Sequence, residues 1–78
     1  PNPFNPETKI CYALPKGSRV NITVYDILGR KLATLVDAYK GPGHYEVILN
    51  GSELTSGMYF FRMNAGDYSN IKKMLLIK

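Results

Sequence analysis

The chain has 78 residues and a formal net charge of +4, and 45% of its residues are hydrophobic. This length allows one small domain, and this hydrophobic content argues against intrinsic disorder. The charge is mildly basic and does not by itself indicate a nucleic-acid-binding protein, and no apolar run approaches the roughly 18 residues of a membrane-spanning helix.

The first six residues contain three prolines, at positions 1, 3 and 6. Proline fixes its own φ and favours extended angles in the residue before it. We therefore predict a stiff, extended lead-in over residues 1–6, followed by a single β module over residues 7–78. A beginning without methionine is typical of a module cut from a longer protein.

Two strands are predicted next, over residues 8–14 and 19–25, because apolar and polar residues alternate in both. The side chains expected to point inward are Ile10, Tyr12, Leu14, Val20, Ile22 and Val24. The segment 26–29 then predicts a type I turn, with Asp26 at its start and Gly29 in a left-handed conformation at its end.

The third strand is predicted over residues 30–36, and because its apolar residues do not alternate strictly we expect a β-bulge in it. A short helix is the competing interpretation, but the tight turn before this segment and the Gly-Pro-Gly corner at 41–43 favour a strand. A fourth strand is predicted over residues 44–49, ending at an Asn-Gly turn signal. Its inward side chains are expected to be Tyr45, Val47 and Leu49.

The stretch 54–63 combines a turn with an aromatic strand. Leu54-x-x-Gly57-x-Tyr59 has the spacing of a tyrosine corner, in which the tyrosine hydroxyl bonds to the backbone a few residues upstream. Gly57 suits the bend because glycine adopts a positive φ without steric cost. Large side chains then alternate onto both faces, so we predict that this strand is central in its sheet. The side chains expected on one face are Tyr59, Phe61 and Met63.

A hairpin at 65–68, in which Gly66 supplies the primed-turn geometry, leads to the last predicted strand over residues 68–78. Ile71 and Met74 fall out of phase with each other, which predicts a change of register near Lys72 and Lys73. Six clear strands, or seven if a further segment pairs, predict an all-β fold. The architecture expected is an immunoglobulin-like antiparallel β-sandwich.

No arrangement of reactive residues predicts an enzyme. A cysteine nucleophile needs a positioned base, and no sequence pattern links Cys11, the single cysteine, to His44, the single histidine. The six acidic residues are scattered without a paired spacing, and neither a phosphate-binding loop nor a metal-ligand spacing occurs. We therefore expect no catalytic residue, no metal and no cofactor.

Two groups of residues suggest binding instead. Tyr25 and Tyr39 are candidates for a sugar-stacking surface, although aromatic residues at such positions are more often edge packing. Lys72, Lys73 and Lys78 are candidates for a basic recognition surface on the last strand, and edge lysines that discourage aggregation are the alternative. The residue pattern leaves both alternatives open.

Several motifs follow one another in a fixed order along the whole chain. They are the proline-rich start, Val24-Tyr25-Asp26-x-x-Gly29-Arg30, Gly43-x-Tyr45, Leu54-x-Ser56-Gly57-x-Tyr59-Phe60-Phe61-Arg62 and Lys72-Lys73-Met74-Leu75-Leu76-Ile77-Lys78. This ordered set resembles the C-terminal sorting domain of type IX secretion substrates, type A, whose pattern overlaps with that of the flagellar hook-cap immunoglobulin-like domain. The chain departs from the family at Leu49 and Asn50, where an aromatic and an acidic residue are common.

The resemblance implies a non-catalytic module that follows a cargo domain in the same chain. The implied partners are the secretion machinery of the outer membrane and a sortase that removes the domain and attaches the cargo to the cell surface. The cargo is then expected to be secreted or held at the cell surface, by way of the periplasm and the outer membrane. The recognition residues that the resemblance implies are Gly57, Tyr59, Lys72, Lys73 and Lys78.

Two alternatives stay open beside this reading, a carbohydrate-binding module and a structural assembly domain like that of the hook cap. Whether two copies form a dimer through the last strand is a separate question that the sequence leaves open. A nucleic-acid partner and a membrane span are not expected.

Overall fold

The computed structural model of the protein describes residues 7–52 and 54–77. These residues form six antiparallel strands, and no helix occurs among them. The strands are β1 (Glu7–Leu14), β2 (Ser18–Tyr25), β3 (Lys31–Lys40), β4 (Gly43–Asn50), β5 (Gly57–Ala65) and β6 (Tyr68–Leu76). The all-β prediction is confirmed. The predicted lead-in over residues 1–6 and the predicted recognition residue Lys78 lie outside the described residues.

The strands form two sheets. A two-stranded sheet pairs β1 with β4, and a four-stranded sheet has the order β3-β2-β5-β6. The architecture is consistent with the predicted immunoglobulin-like sandwich. The predicted central position of β5 is confirmed, since it pairs with β2 on one side and with β6 on the other.

The core lies between the two sheets and is centred on β2. Its Val20, Ile22 and Val24 side chains have no exposed surface, because β2 has neighbouring strands on both edges and one face against the other sheet. The other side chains predicted to point inward are buried or half-buried. Those are Ile10, Tyr12, Leu14, Tyr45, Val47 and Leu49.

The third strand is a strand and not a helix, and it extends to Lys40 instead of ending at residue 36. Its pairing with β2 has two irregularities, which leave Leu32 and Leu35 without a partner across the ladder. A β-bulge lets consecutive side chains share one face. Leu35 and Val36 therefore both pack against the core, which explains why the sequence does not alternate there.

The predicted change of register in the last strand is wrong. β5 and β6 pair without interruption from Gly57 opposite Leu76 to Ala65 opposite Tyr68. The prediction assumed that every large apolar residue of β6 points inward. Ile71 and Leu75 instead lie on the outer face, with 53% and 62% of their surface exposed, so Met74 and Leu76 can point inward in regular alternation.

Candidate recognition surface

The tyrosine corner predicted at the start of β5 is present. The Tyr59 hydroxyl donates a hydrogen bond of 2.7 Å to the carbonyl oxygen of Thr55. Gly57, which lies between these two residues, has a φ of 154°, a backbone conformation that residues other than glycine rarely adopt. The Tyr59 ring is 7% exposed, so it acts from within the core.

A second tyrosine corner, which the sequence analysis missed, opens β4. The Tyr45 hydroxyl donates a hydrogen bond of 2.8 Å to the carbonyl oxygen of Gly41, and Gly43 between them has a φ of 143°. The signal was available in the sequence, because Gly43-x-Tyr45 has the same spacing as Gly57-x-Tyr59. Each corner fixes the first residues of one strand, one in each sheet.

The Tyr45 ring also packs against β1. It stacks on the Tyr12 ring with 5.3 Å between ring centroids and an angle of 22° between the planes. Burial raises the pKa of the Tyr12 hydroxyl, and the neighbouring Tyr45 raises it further. The stacked pair thus connects the second corner, on β4, to the neighbouring strand β1.

The β6 strand lies at an edge of the four-stranded sheet. It pairs with β5 and, within the part of the chain that the structure describes, with no other strand. One row of its backbone N–H and C=O groups is therefore open to pairing. Lys72 and Lys73 on this strand are both exposed.

The two lysines project to opposite faces of the sheet. Lys72 lies opposite Phe61, on the inner face, and Lys73 lies opposite Phe60, on the outer face. Directly opposed residues of antiparallel strands share a face, and consecutive residues do not. A flat partner surface can therefore contact one of these lysines, whereas a partner that follows the strand edge can reach both.

The outer face of the four-stranded sheet is both apolar and cationic. The Arg62 guanidinium lies over the Tyr25 ring, 6.0 Å from its centroid, and this ring is next to Phe60 and, one strand further, Lys73. The large apolar side chains that β5 and β6 expose on this face are Met58, Ile71 and Leu75. Exposed apolar surface of this kind is typical of interaction sites.

Tyr25 and Tyr39 do not form a single aromatic platform. Tyr25 pairs with Lys31, and Tyr39 pairs with Arg19 at the other end of β2. Six residues of extended strand separate these positions, which corresponds to about 20 Å. The sugar-stacking surface considered from the sequence is therefore not assembled by these two residues.

The turn between β2 and β3 has the predicted conformation, with Gly29 at a φ of 82°. The Asp26 carboxylate accepts hydrogen bonds from the backbone N–H groups of Leu28 and Arg30, each 2.9 Å long, and one of 2.7 Å from the Arg30 side chain. The bond from the Arg30 backbone contributes most to holding the pKa of Asp26 below its ordinary value. The turn is thus closed by a charged hydrogen-bonding network.

Cys11 and His44 lie on the same exposed face of the two-stranded sheet. Cys11 is opposite Glu46 and His44 is opposite Ala13, so they occupy diagonal positions. No hydrogen bond joins them, and no group of three or more potential metal ligands occurs within residues 7–52 and 54–77. The structure brings the two residues closer together than the sequence suggested. Glu46 shares their face, and its carboxylate lies 3.8 Å from the Lys9 ammonium group.

A comparison with protein families identified a match over the full length of the chain. The family model described as the secretion system C-terminal sorting domain matches residues 1–78, the whole chain. The chain belongs to this family. Searches of the curated proteins and of the solved structures gave no significant match.

The resemblance to the sorting domain of type IX secretion substrates is therefore confirmed. A sorting domain is a signal module that directs a secreted or cell-surface cargo. None of the described residues belongs to a helix long and apolar enough to cross a bilayer. Of the five residues predicted to take part in recognition, the four that the structure describes are Gly57 and Tyr59 at the corner of β5 and Lys72 and Lys73 on β6. Tyr59 is the one buried residue among these four.

Proposed function

We propose that this sorting domain is recognised in its folded form, through the free edge of β6, by the type IX secretion machinery of the outer membrane. The observation that carries the proposal is the geometry of that strand. It exposes an unpaired backbone edge, with Lys72 on one side of it and Lys73 on the other.

Strand addition is the mode of recognition that fits this geometry. A strand of the receptor that pairs with β6 gains main-chain hydrogen bonds along the edge. Acidic side chains that alternate along the receptor strand then meet Lys72 on the inner side and Lys73 on the outer side, which fixes the register. Lys78 continues the same basic series in the sequence and belongs to the proposal as a prediction.

Gly57 and Tyr59 act in this proposal by positioning β6. Gly57 pairs with Leu76 and Tyr59 pairs with Met74. The hydrogen bond from Tyr59 to Thr55 fixes the start of β5, and β5 in turn is the strand on which β6 lies. A receptor therefore depends on these residues without touching the buried tyrosine ring.

The proposal includes the later steps that the resemblance to the family implies. The cargo domain upstream is carried from the periplasm across the outer membrane, and a sortase then removes the sorting domain and attaches the cargo to the cell surface. The free edge of β6 also suits pairing of two copies, so a dimer through this strand would hide the recognition edge until the receptor displaces one copy.

Charge reversal in the full-length cargo protein tests the proposal. The double variant Lys72→Glu and Lys73→Glu is expected to leave the cargo in the periplasm while its melting temperature stays close to that of the wild type, because both side chains are exposed. Secretion is measured by immunoblotting of the medium and of the cell fractions. Point variants are preferable to deletion of the strand, because deletion also removes Met74 and Leu76 from the core.

Lys31→Glu is the matched control. Lys31 is also exposed and lies on β3, the opposite edge strand of the same sheet. We expect this variant to be exported normally. Normal export of the Lys72 and Lys73 double variant would refute recognition through β6.

A further inference from the structure

The two sheets of the sandwich are unequal, and a cleft results. The two-stranded sheet faces a sheet of four strands, and neighbouring strands are about 4.8 Å apart, so part of the larger sheet's inner face is left uncovered. A cleft of about 860 Å³ lies there, bordered by β1 on one side and by β5 and β6 on the other. No residue of β3 or β4 lines it.

The floor of the cleft is apolar. Phe61 and Met63 point from β5 toward the core, yet both are half-buried, whereas Tyr59 on the same face is buried. The inner-face residues of β6 beside them are polar, with Asn70 opposite Met63 and Lys72 opposite Phe61. The surface left open is therefore an apolar floor with a lysine at its edge.

The wall of the cleft is an unpaired strand edge. Among the described residues β1 pairs with β4 alone, and it does so without a bulge from Glu7 to Leu14. In an antiparallel pair, alternate residues point their N–H and C=O groups away from the partner. These groups of β1 face the cleft, which is where a third strand of the smaller sheet would lie.

The β1 edge lacks the protection that the edges of the larger sheet have. β3 is interrupted by two irregularities, and β6 carries two exposed lysines, both of which are ordinary devices against unwanted pairing. β1 contains no proline, and its one lysine, Lys9, is 3.8 Å from the Glu46 carboxylate on β4. A regular, unprotected edge beside an apolar cleft favours strand addition.

The charged residues that line the cleft favour an added strand that carries an acidic side chain. The Lys, Arg, Asp and Glu residues at the cleft that make no ion pair with another described residue are Lys16, Asp67 and Lys72, two cationic and one anionic. Lys72 points into the cleft from β6. An acidic side chain on an added strand would meet this lysine.

We propose that this cleft binds an extended peptide segment of a partner protein, which pairs with β1 as a third strand and completes the smaller sheet. The segment has apolar side chains at alternate positions, in contact with Phe61 and Met63, and an acidic residue that pairs with Lys72. This site shares Lys72 with the proposed recognition edge of β6, but its backbone pairing is with β1, and its test measures peptide binding instead of export.

The test uses the purified 78-residue chain and a synthetic eight-residue peptide of alternating valine and threonine, with one central valine replaced by glutamate. We expect the peptide to slow amide hydrogen exchange in β1. We also expect it to bind roughly fivefold more tightly than the same peptide with lysine in place of glutamate, which is the range of a partly exposed ion pair.

The chain provides a matched pair of variants for this experiment. Lys72→Glu is expected to reverse the preference between the two peptides, because Lys72 lies on the cleft side of β6. Lys73→Glu changes the neighbouring residue by the same charge, but on the outer face, and is expected to leave the preference unchanged.

Four results would overturn the inference. Three of them are the absence of any slowing of exchange in β1 at millimolar peptide, slowing confined to β6, and an equal effect of the two variants. Slowing in β1 that rises with protein concentration without peptide, together with dimerisation in sedimentation, would show that the occupant is a second copy and would also overturn it. All of these results come from measurements on the purified chain. A failure of the peptide-binding proposal can therefore be distinguished from a failure of the export proposal, which is tested by secretion of the cargo.

Discussion

At the scale of single residues, two tyrosine hydroxyls close the bends that open β4 and β5. We expect Tyr59→Phe to lower the free energy of unfolding by about 1 kcal/mol, because the variant loses the hydrogen bond to the Thr55 carbonyl oxygen and the 3.3 Å contact with the Thr55 hydroxyl. Tyr45→Phe is expected to have a similar effect through Gly41. Urea unfolding measures both.

Tyr39→Phe is the control for these variants. The Tyr39 side chain is 67% exposed, and its hydroxyl bonds to no other described residue. Its removal should leave the unfolding free energy unchanged. If Tyr59→Phe were as stable as the Tyr39 control, the corner would not contribute to stability.

The glycines inside the two corners give a second residue-scale prediction. Gly57→Ala and Gly43→Ala are each expected to cost about 1–3 kcal/mol, because both glycines have a positive φ. A Cβ would meet no atom within 4 Å at either position, so the cost comes from the backbone alone. Thermal unfolding of the variants measures it.

Gly41→Ala separates backbone strain from the general loss of a glycine. Gly41 has no positive φ, and the nearest atom to an added Cβ is the Tyr45 hydroxyl oxygen at 4.0 Å. We expect little change in stability. A loss at Gly41 equal to the loss at Gly57 would contradict the assignment of strain to the corners.

At the scale of the structural elements, the turn between β2 and β3 should make stability depend on pH. Its hydrogen bonds hold the pKa of Asp26 in the folded chain below the value it has when unfolded. The contribution is therefore fully present above the ordinary carboxylate pKa of about 4 and is lost as the pH falls through the lower folded value. Asp26→Asn should flatten this part of the stability curve in acid.

Asp37 acts in the same direction, because the side-chain hydrogen bond from Arg19 lowers its pKa. Some acid sensitivity should therefore remain in the Asp26 variant. Asp67→Asn is the control, since Asp67 makes no hydrogen bond or ion pair with the described residues. Unfolding measured between pH 2 and pH 6 would oppose the argument if the Asp26 and Asp67 variants responded alike.

A comparison of β2 with β6 shows which strands can be predicted correctly from hydrophobic periodicity. The alternation of Val20, Ile22 and Val24 predicts β2 correctly because a central, covered strand buries every second residue. β6 is an edge strand whose outer face is open to solvent, so Ile71 and Leu75 can be apolar without being buried. Periodicity fails there because burial no longer decides which residues are apolar.

The candidate site was predicted in composition but not in geometry. Because Lys72 and Lys73 are adjacent in the sequence, they were expected to form one basic surface. Adjacent residues of a strand point to opposite faces of the sheet, so the two lysines lie on different faces. The cleft beside β1 could not be predicted, because it arises from the unequal number of strands in the two sheets. That number is a property of topology and not of any one segment.

At the scale of the whole molecule, recognition of a fold and recognition of a linear signal can be separated. Ile22 has no exposed surface and lies at the centre of the core. Ile22→Ala is expected to cost about 2–5 kcal/mol, a large part of the roughly 4–12 kcal/mol available to a domain of this size. Circular dichroism should show a lower melting temperature, and export of the cargo should fall with it.

Ile71→Ala shortens an equally large side chain that is 53% exposed, and it should change stability little. If the Ile22 variant were unfolded and still exported as well as the Ile71 variant, the machinery would be reading a linear segment. That outcome would contradict recognition of the folded domain.

The uninterrupted ladder between β5 and β6 has a consequence for protein synthesis. β6 supplies Met74 and Leu76 to the core. A nascent chain that terminates before residue 76 therefore lacks core side chains that the earlier strands need to form the closed sandwich. Export that requires the closed sandwich would then act as a quality check on translation. Prematurely terminated cargo would be retained inside the cell, and full-length copies would be released.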